Sequence, residues 1–102
     1  MPEVAKLAES VEYQAGSIVS KQLIAKSTGS LTLFAFDQGQ NLSEHTAPFD
    51  AFVQVLDGQG LITISGIDYT LKAGDMIIMP AGQPHAVRAV EKFKMMLVMI
   101  RG

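Results

Sequence analysis

His45 and His85 are the only two histidines of this 102-residue chain, which contains no cysteine. An imidazole can ligate a transition metal, take up a proton near neutral pH, or hydrogen-bond a bound molecule. Without thiolates, a metal could be held only by nitrogen and oxygen ligands, which suits a divalent ion such as zinc, iron, manganese or nickel. Two imidazoles alone hold such an ion poorly, because structural and catalytic sites ordinarily use three or more protein ligands. The candidates for a third ligand are Asp50, Glu44 and Gln54. Asp50 and Glu44 face a geometric objection, since side chains alternate across a strand and a one-residue offset turns a group to the other face unless the bend at Pro48 breaks the period. The histidine segments carry no lysine or cysteine nucleophile, no serine beside a histidine and no carboxylate pair. Catalysis without a metal would therefore rest on His45 or His85 as general base, and whether the chain is an enzyme stays open.

The elements that must position these rings read as short strands. Residues 17–25 and 31–36 form an expected hairpin around Lys26-Ser27-Thr28-Gly29-Ser30. After the polar break at Asp37-Gln38-Gly39-Gln40-Asn41 and the bend at Pro48, an apolar run occupies 51–56. Asp57-Gly58-Gln59-Gly60 then reads as a tight hairpin turn before Leu61-Ile62-Thr63-Ile64. Strands over 67–71, 76–79, 85–90 and 93–101 complete the pattern, the second of them stopped by Pro80. Eight or nine short strands without a helix indicate an all-β sandwich or barrel. The chain divides into an N-terminal arm, 1–16, expected to pack loosely or to extend over a neighbouring subunit, and a single barrel domain, 17–102.

Composition narrows the function classes. Hydrophobic residues make up 48% and charged residues 18%, enough apolar material for one well-filled core. A net charge of −2 leaves no basic footprint for nucleic acid. No run approaches the ~20 apolar residues of a membrane-spanning helix, and the first residues lack a signal-peptide pattern, so a soluble, unprocessed cytoplasmic protein is expected. Arg88, Lys92, Lys94 and Arg101 read as solvated charges protecting a sheet edge, with an anion site as the alternative.

The spacing around the histidines resembles the paired motifs of the cupin superfamily. Gly39, His45 and Gly58 match the first motif, and Gly74, Pro80, Gly82 and His85 match the second. The resemblance implies a jelly-roll fold, a double-stranded β-helix barrel of the small conserved-barrel type. It also implies a metal set of histidines and a glutamate at the barrel mouth. Here the positions of the second histidine, the glutamate and the motif's final asparagine are Ala47, Ala51 and Ala89. Only His45 and His85 remain of that set.

Replacing ligands by alanine removes charge and leaves volume, so the expected site is an apolar pocket with two imidazoles. If His45 and His85 point inward, Ala47, Ala51, Val53, Val55, Val87 and Ala89 share their face. A small molecule is the expected ligand. The opposing expectation is that Phe34, Phe49 or Met79 fill the space. A metal-dependent dioxygenase or isomerase using an additional ligand, and an interaction module working through its dimer surface, are the alternatives. The strand from Phe93 to Ile100 is too apolar for one solvated face, which argues for a covering second subunit and a homodimer.

Overall fold

The computed structural model describes residues 4–101; Met1–Glu3 of the arm and Gly102 lie outside the described residues. Eight strands follow in chain order: β1 Ile18–Lys26, β2 Gly29–Phe36, β3 Asn41–His45, β4 Asp50–Ile64, β5 Ile67–Lys72, β6 Met76–Met79, β7 His85–Arg88 and β8 Phe93–Ile100. All pairings are antiparallel, and side chains alternate between the two faces except where the ladders slip, between Gln22 and Ile24, Leu42 and His45, and Val55 and Asp57.

β4 decides the architecture. Its first part pairs with β8 on one side and β6 on the other, extending through β8 to β2 and β1. Its second part pairs with β5 and β7, and β7 continues to β3. One strand thus belongs to two sheets, which face each other around a common core, as in a jelly roll.

This corrects the expected hairpin at Asp57-Gly58-Gln59-Gly60. The chain does not reverse there; β4 continues without interruption through all 15 residues. Gly58 takes a φ of +72°, and the ladder to β8 slips between Val55 and Asp57, which is a bulge that bends the strand from one sheet into the other. A hairpin turn and a strand bend both need positive φ, so the glycine alone does not separate them. What fixes the bend is contact: a Cβ on Gly58 would collide with the Lys92 carbonyl oxygen, and one on Gly60 with the Phe93 ring.

The core lies between the sheets. Phe36 and Phe93 stack with ring centroids 4.7 Å apart, and Val53, Val55, Ile62 and Val87 pack around them. A second, smaller apolar cluster sits on the outer face of the first sheet, where Val11 covers Leu33 and Ala35. The arm is therefore not loose from residue 8 onward. Val11 is 4% exposed, Lys94 Nζ donates to the Ala8 carbonyl at 2.6 Å, and the Tyr13 hydroxyl donates to the Asp57 carboxylate at 2.6 Å. Both Lys92 and Lys94 hold their ammonium groups over the Tyr13 ring, at 5.1 and 5.0 Å. The chain's own arm covers part of the apolar outer face of β8 that the sequence assigned to a second subunit. Among the described residues no helix is long and apolar enough to cross a membrane.

Gly58→Ala is expected to cost about 2–4 kcal/mol, since positive φ and a backbone collision add. Gly66→Ala, at a φ of +81° with nothing within 4 Å of the added Cβ, is expected to cost only about 1 kcal/mol. Urea unfolding of the two variants measures the difference; equal losses would remove the bend's dependence on close approach.

Candidate functional site

The site forms where the two sheets leave one end of the barrel open. His45 is the last residue of β3 and His85 the first of β7, and they are paired in the ladder. β3 was not anticipated; of its residues Asn41-Leu42-Ser43-Glu44-His45 only Leu42 is apolar, so it carries little strand pattern. The turn before His85 is stitched to the loop after His45. Gly82 N–H donates to the Ala47 carbonyl at 2.9 Å, and Ala81 N–H donates to Asp50 Oδ1 at 2.8 Å. Ser65 N–H donates to the Pro84 carbonyl at 2.8 Å, which ties the same turn to the far end of β4.

The rings meet edge to face, with centroids 4.3 Å apart and the Nε2 atoms separated by 3.0 Å. His85 is buried at 6% exposure, whereas His45 faces solvent. Behind the rings, His45 Nδ1 lies 2.8 Å from the Ser43 carbonyl and His85 Nδ1 lies 3.3 Å from the Gln83 carbonyl. A carbonyl oxygen only accepts, so each of these contacts requires a hydrogen on the ring nitrogen. The Nε2 contact requires one more. Two neutral imidazoles carry only two N–H groups between them, so the three contacts lack one proton.

In the neutral pair the shorter carbonyl contact takes the His45 Nδ1–H, His85 Nε2–H donates to His45 Nε2, and the Gln83 carbonyl goes without. One added proton completes all three bonds and gives the pair a positive charge. Burial, followed by the adjacent His45 ring, opposes that charge on His85 and holds its imidazole below the ordinary histidine range. Burial thus favours the neutral form of His85, while the adjoining His45 ring is open to solvent.

The donor set does not fit a tightly held metal. Backbone carbonyls behind both Nδ1 atoms are what metal-ligating histidines commonly have. Yet among the described residues no group of three or more histidine, cysteine, aspartate or glutamate side chains comes together. Asp50 uses Oδ1 to brace the Ala81 turn. Glu44 is exposed and lines an outer groove with Thr63 and Arg88, and Gln54 pairs across the outer face with Met76 and Met96. None of the three candidates joins the imidazoles as a further ligand.

The alanine and valine positions also resolve. Ala47 is half-buried at the mouth, beside His45. Ala51, Val87 and Ala89 are core residues, and Val53 and Val55 have no surface that water can reach. An open pocket as deep as Val53 and Val55 is therefore absent; Met79, Phe36 and Phe93 fill that volume. Whatever binds at the imidazoles sits above them. The sequence reading missed one pair at this same end: the Arg101 guanidinium lies 4.9 Å from the centre of the Phe49 ring. The alternation of Phe93, Met95, Leu97 and Met99 into the core was the available signal, since it carries on to Arg101.

An eight-stranded jelly roll with two histidines facing each other at its mouth defines a cupin-type barrel. A family model described as the cupin domain matches residues 32–101, and the chain belongs to that family. No curated protein matches it. Among solved structures, a conserved protein of unknown function from Streptococcus pyogenes is 36% identical, with a TM-score of 0.95, over 100% of this chain and 90% of that one. A cupin 2 conserved barrel domain protein from Leptotrichia buccalis is 47% identical, with a TM-score of 0.91 over 93% of this chain, which spans only 46% of that protein. A salicylate 1,2-dioxygenase from Pseudoaminobacter salicylatoxidans shares the fold alone, at 17% identity and a TM-score of 0.77, over 84% of this chain and 27% of that one.

The direction of the His85 shift fixes a pH dependence. Below about pH 6.5 the unfolded chain protonates His85 more readily than the folded chain, so stability falls as pH falls. The contribution is complete above that pH and is lost on descent through the lower folded value. The urea midpoint is expected to drop between pH 7.5 and pH 5, and to drop less in His85→Asn; an equal drop in both proteins would reject the assignment.

Proposed function

We propose that this cupin binds a small molecule at the barrel mouth, with His45 and His85 as its polar contacts and Ala47 as part of the apolar wall. The observation that carries the reading is the convergence of both Nε2 atoms to 3.0 Å, with each Nδ1 turned back to a backbone carbonyl. A ligand hydroxyl can replace the Nε2–Nε2 contact, accepting from His85 Nε2–H and donating to His45 Nε2, so that both rings stay satisfied. Metal-dependent dioxygenase or isomerase chemistry is less well supported, because Asp50 is engaged elsewhere and the remaining ligand positions are alanines.

A fragment screen followed by NMR is expected to yield binders that shift the signals of His45, Ala47 and His85, and His45→Ala is expected to lose them. Elemental analysis of protein purified without chelator checks the rival. About one transition metal per chain, released in His45→Ala, would replace this reading by the metalloenzyme one.

A second reading concerns assembly. Across the outer face of the first sheet, register aligns Ile24, Leu31, Val98, Phe52 and Ile78 in one row over five strands. Ile24 is 51% and Ile78 48% exposed, and a cavity of about 260 Å³ opens beside Ile24, Leu31 and Val98. The arm stops short of this row, covering Leu33 and Ala35 instead. We propose that a second copy packs here, since a continuous apolar stripe on a flat sheet is self-complementary under two-fold symmetry. Light scattering is expected to give the mass of two chains, and Ile78→Glu to give that of one. A monomeric parent protein would overturn the assembly and leave the mouth unaffected.

A further inference from the structure

We infer that Arg101 and Phe49 form the anion-binding half of the mouth, and that the molecule bound there is a small organic carboxylate. The inference rests on the proposed binding role of His45 and His85 and adds the chemical class of the ligand.

Strand parity places the two residues. In β4, Ala51, Val53 and Val55 face the core, and Phe49 continues that face one step beyond the strand's start. In β8, Phe93, Met95, Leu97 and Met99 face the core, and Arg101 continues that face one step beyond its end. Asp50 pairs with Ile100, so Phe49 and Arg101 are the next cross-strand neighbours, which agrees with the 4.9 Å separation of guanidinium and ring. Arg101 N–H also donates to the Thr28 carbonyl at 2.9 Å, which fixes its backbone against the β1–β2 turn.

Phe49 belongs to the loop that starts at His45, and four residues of chain reach at most about 14 Å. The Phe49–Arg101 pair and the imidazoles therefore flank the same two stitched loops, 46–49 and 80–84, with Ala47 between Phe49 and His45 in sequence. A guanidinium resting on an aromatic face keeps its in-plane N–H fork free, the geometry that binds a carboxylate bidentately. Among the described residues no hydrogen bond or ion pair engages this fork. Among the described residues the only ion pair is Lys6–Glu9, and the one carboxylate next to Phe49, that of Asp50, accepts from Ala81 N–H. Arg101 is exposed and Phe49 half-buried, so the fork is accessible from solvent.

The occupant follows from both groups. Its carboxylate meets Arg101, and a hydrogen-bonding group a few atoms away reaches His45 Nε2, the exposed member of the imidazole pair.

The test is NMR titration of the full chain with acetate, succinate and benzoate and with the matching amides, following both the Arg101 side-chain and the histidine ring signals. At least one acid is expected to bind saturably and to move both sets, with its amide at least tenfold weaker. Arg101→Gln is expected to weaken that acid at least tenfold, and Arg101→Lys to fall between, because lysine keeps the charge without the fork. Acids and amides binding alike at the histidines would overturn the carboxylate inference and leave the small-molecule reading standing. An acid that moves Arg101 but not the histidine rings would do the reverse. If none of the acids binds, or Arg101→Gln binds as the parent does, the inference is wrong.

Discussion

The structure depends on the bend in β4. Fifteen residues of straight strand would reach about 50 Å, longer than the 41 Å greatest extent of the molecule, so this strand cannot stay straight. It turns at Gly58, and both of its ends then arrive at one short segment. Asp50, at the start, accepts from Ala81 N–H; Ile64, at the end, pairs with His85. Residues 81–85 are thus held by both ends of the same strand. That double hold sets where the His85 ring emerges, and the stitch between Gly82 and Ala47 sets the height of the loop that follows His45. The imidazoles meet because β4 is long and bent, not because their own segments are rigid.

The same bend explains why the interior is closed. Ala51 and Ala89 stand where the family pattern carries a glutamate and an asparagine, and both are core residues of 3% and 1% exposure. Their small size lets the sheets approach until Phe36 and Phe93 stack and Val53 loses its last accessible surface. A void lined by apolar atoms forfeits dispersion contacts, so packing closes it wherever side chains can reach. Alanine at a ligand position was expected to leave volume. In this barrel the volume was taken up by neighbouring side chains, and the imidazoles were left at the surface of a filled core. The binding proposed for this barrel is thereby confined to the rim.

Much of this could be read from residue order. The motif spacing located both histidines and the turns at Gly74 and Gly82, and alternation gave β2, β5, β6 and β8 nearly to the residue. Three features escaped for separable reasons. Asp57-Gly58-Gln59-Gly60 satisfies a hairpin and a bulge equally, and only the approach of Lys92 and Phe93, distant in sequence, selects the bulge. β3 is an edge strand whose single apolar residue gives no period. The arm's anchoring by Val11 depends on an outer-face cluster assembled from β2, β4 and β8, which no local window contains. Arg101 is intermediate: its charge was visible, but its neighbour Phe49 becomes adjacent only through the β4–β8 register.

A rim site of this kind has a consequence for specificity. A deep cupin pocket selects by shape, because its walls enclose most of a ligand; a shallow mouth over a filled core has little apolar area to offer. Its discrimination must come from directional groups that lose more when wrongly partnered than they gain when correctly partnered. The imidazole pair supplies one such group, lacking a proton for the three contacts it faces. In the neutral pair His45 Nε2 is the acceptor and His85 Nε2 the donor, so a ligand group meeting His45 Nε2 would have to donate. In the proposed site the guanidinium over Phe49 would distinguish an anion from a neutral group. Two groups of unlike character would then set an orientation as well as a class: a molecule with only one of the matching groups would be held at one end and free to turn. Under the proposed function, selectivity rests on the spacing of the two groups, and the two ends of β4 hold the loops that carry them.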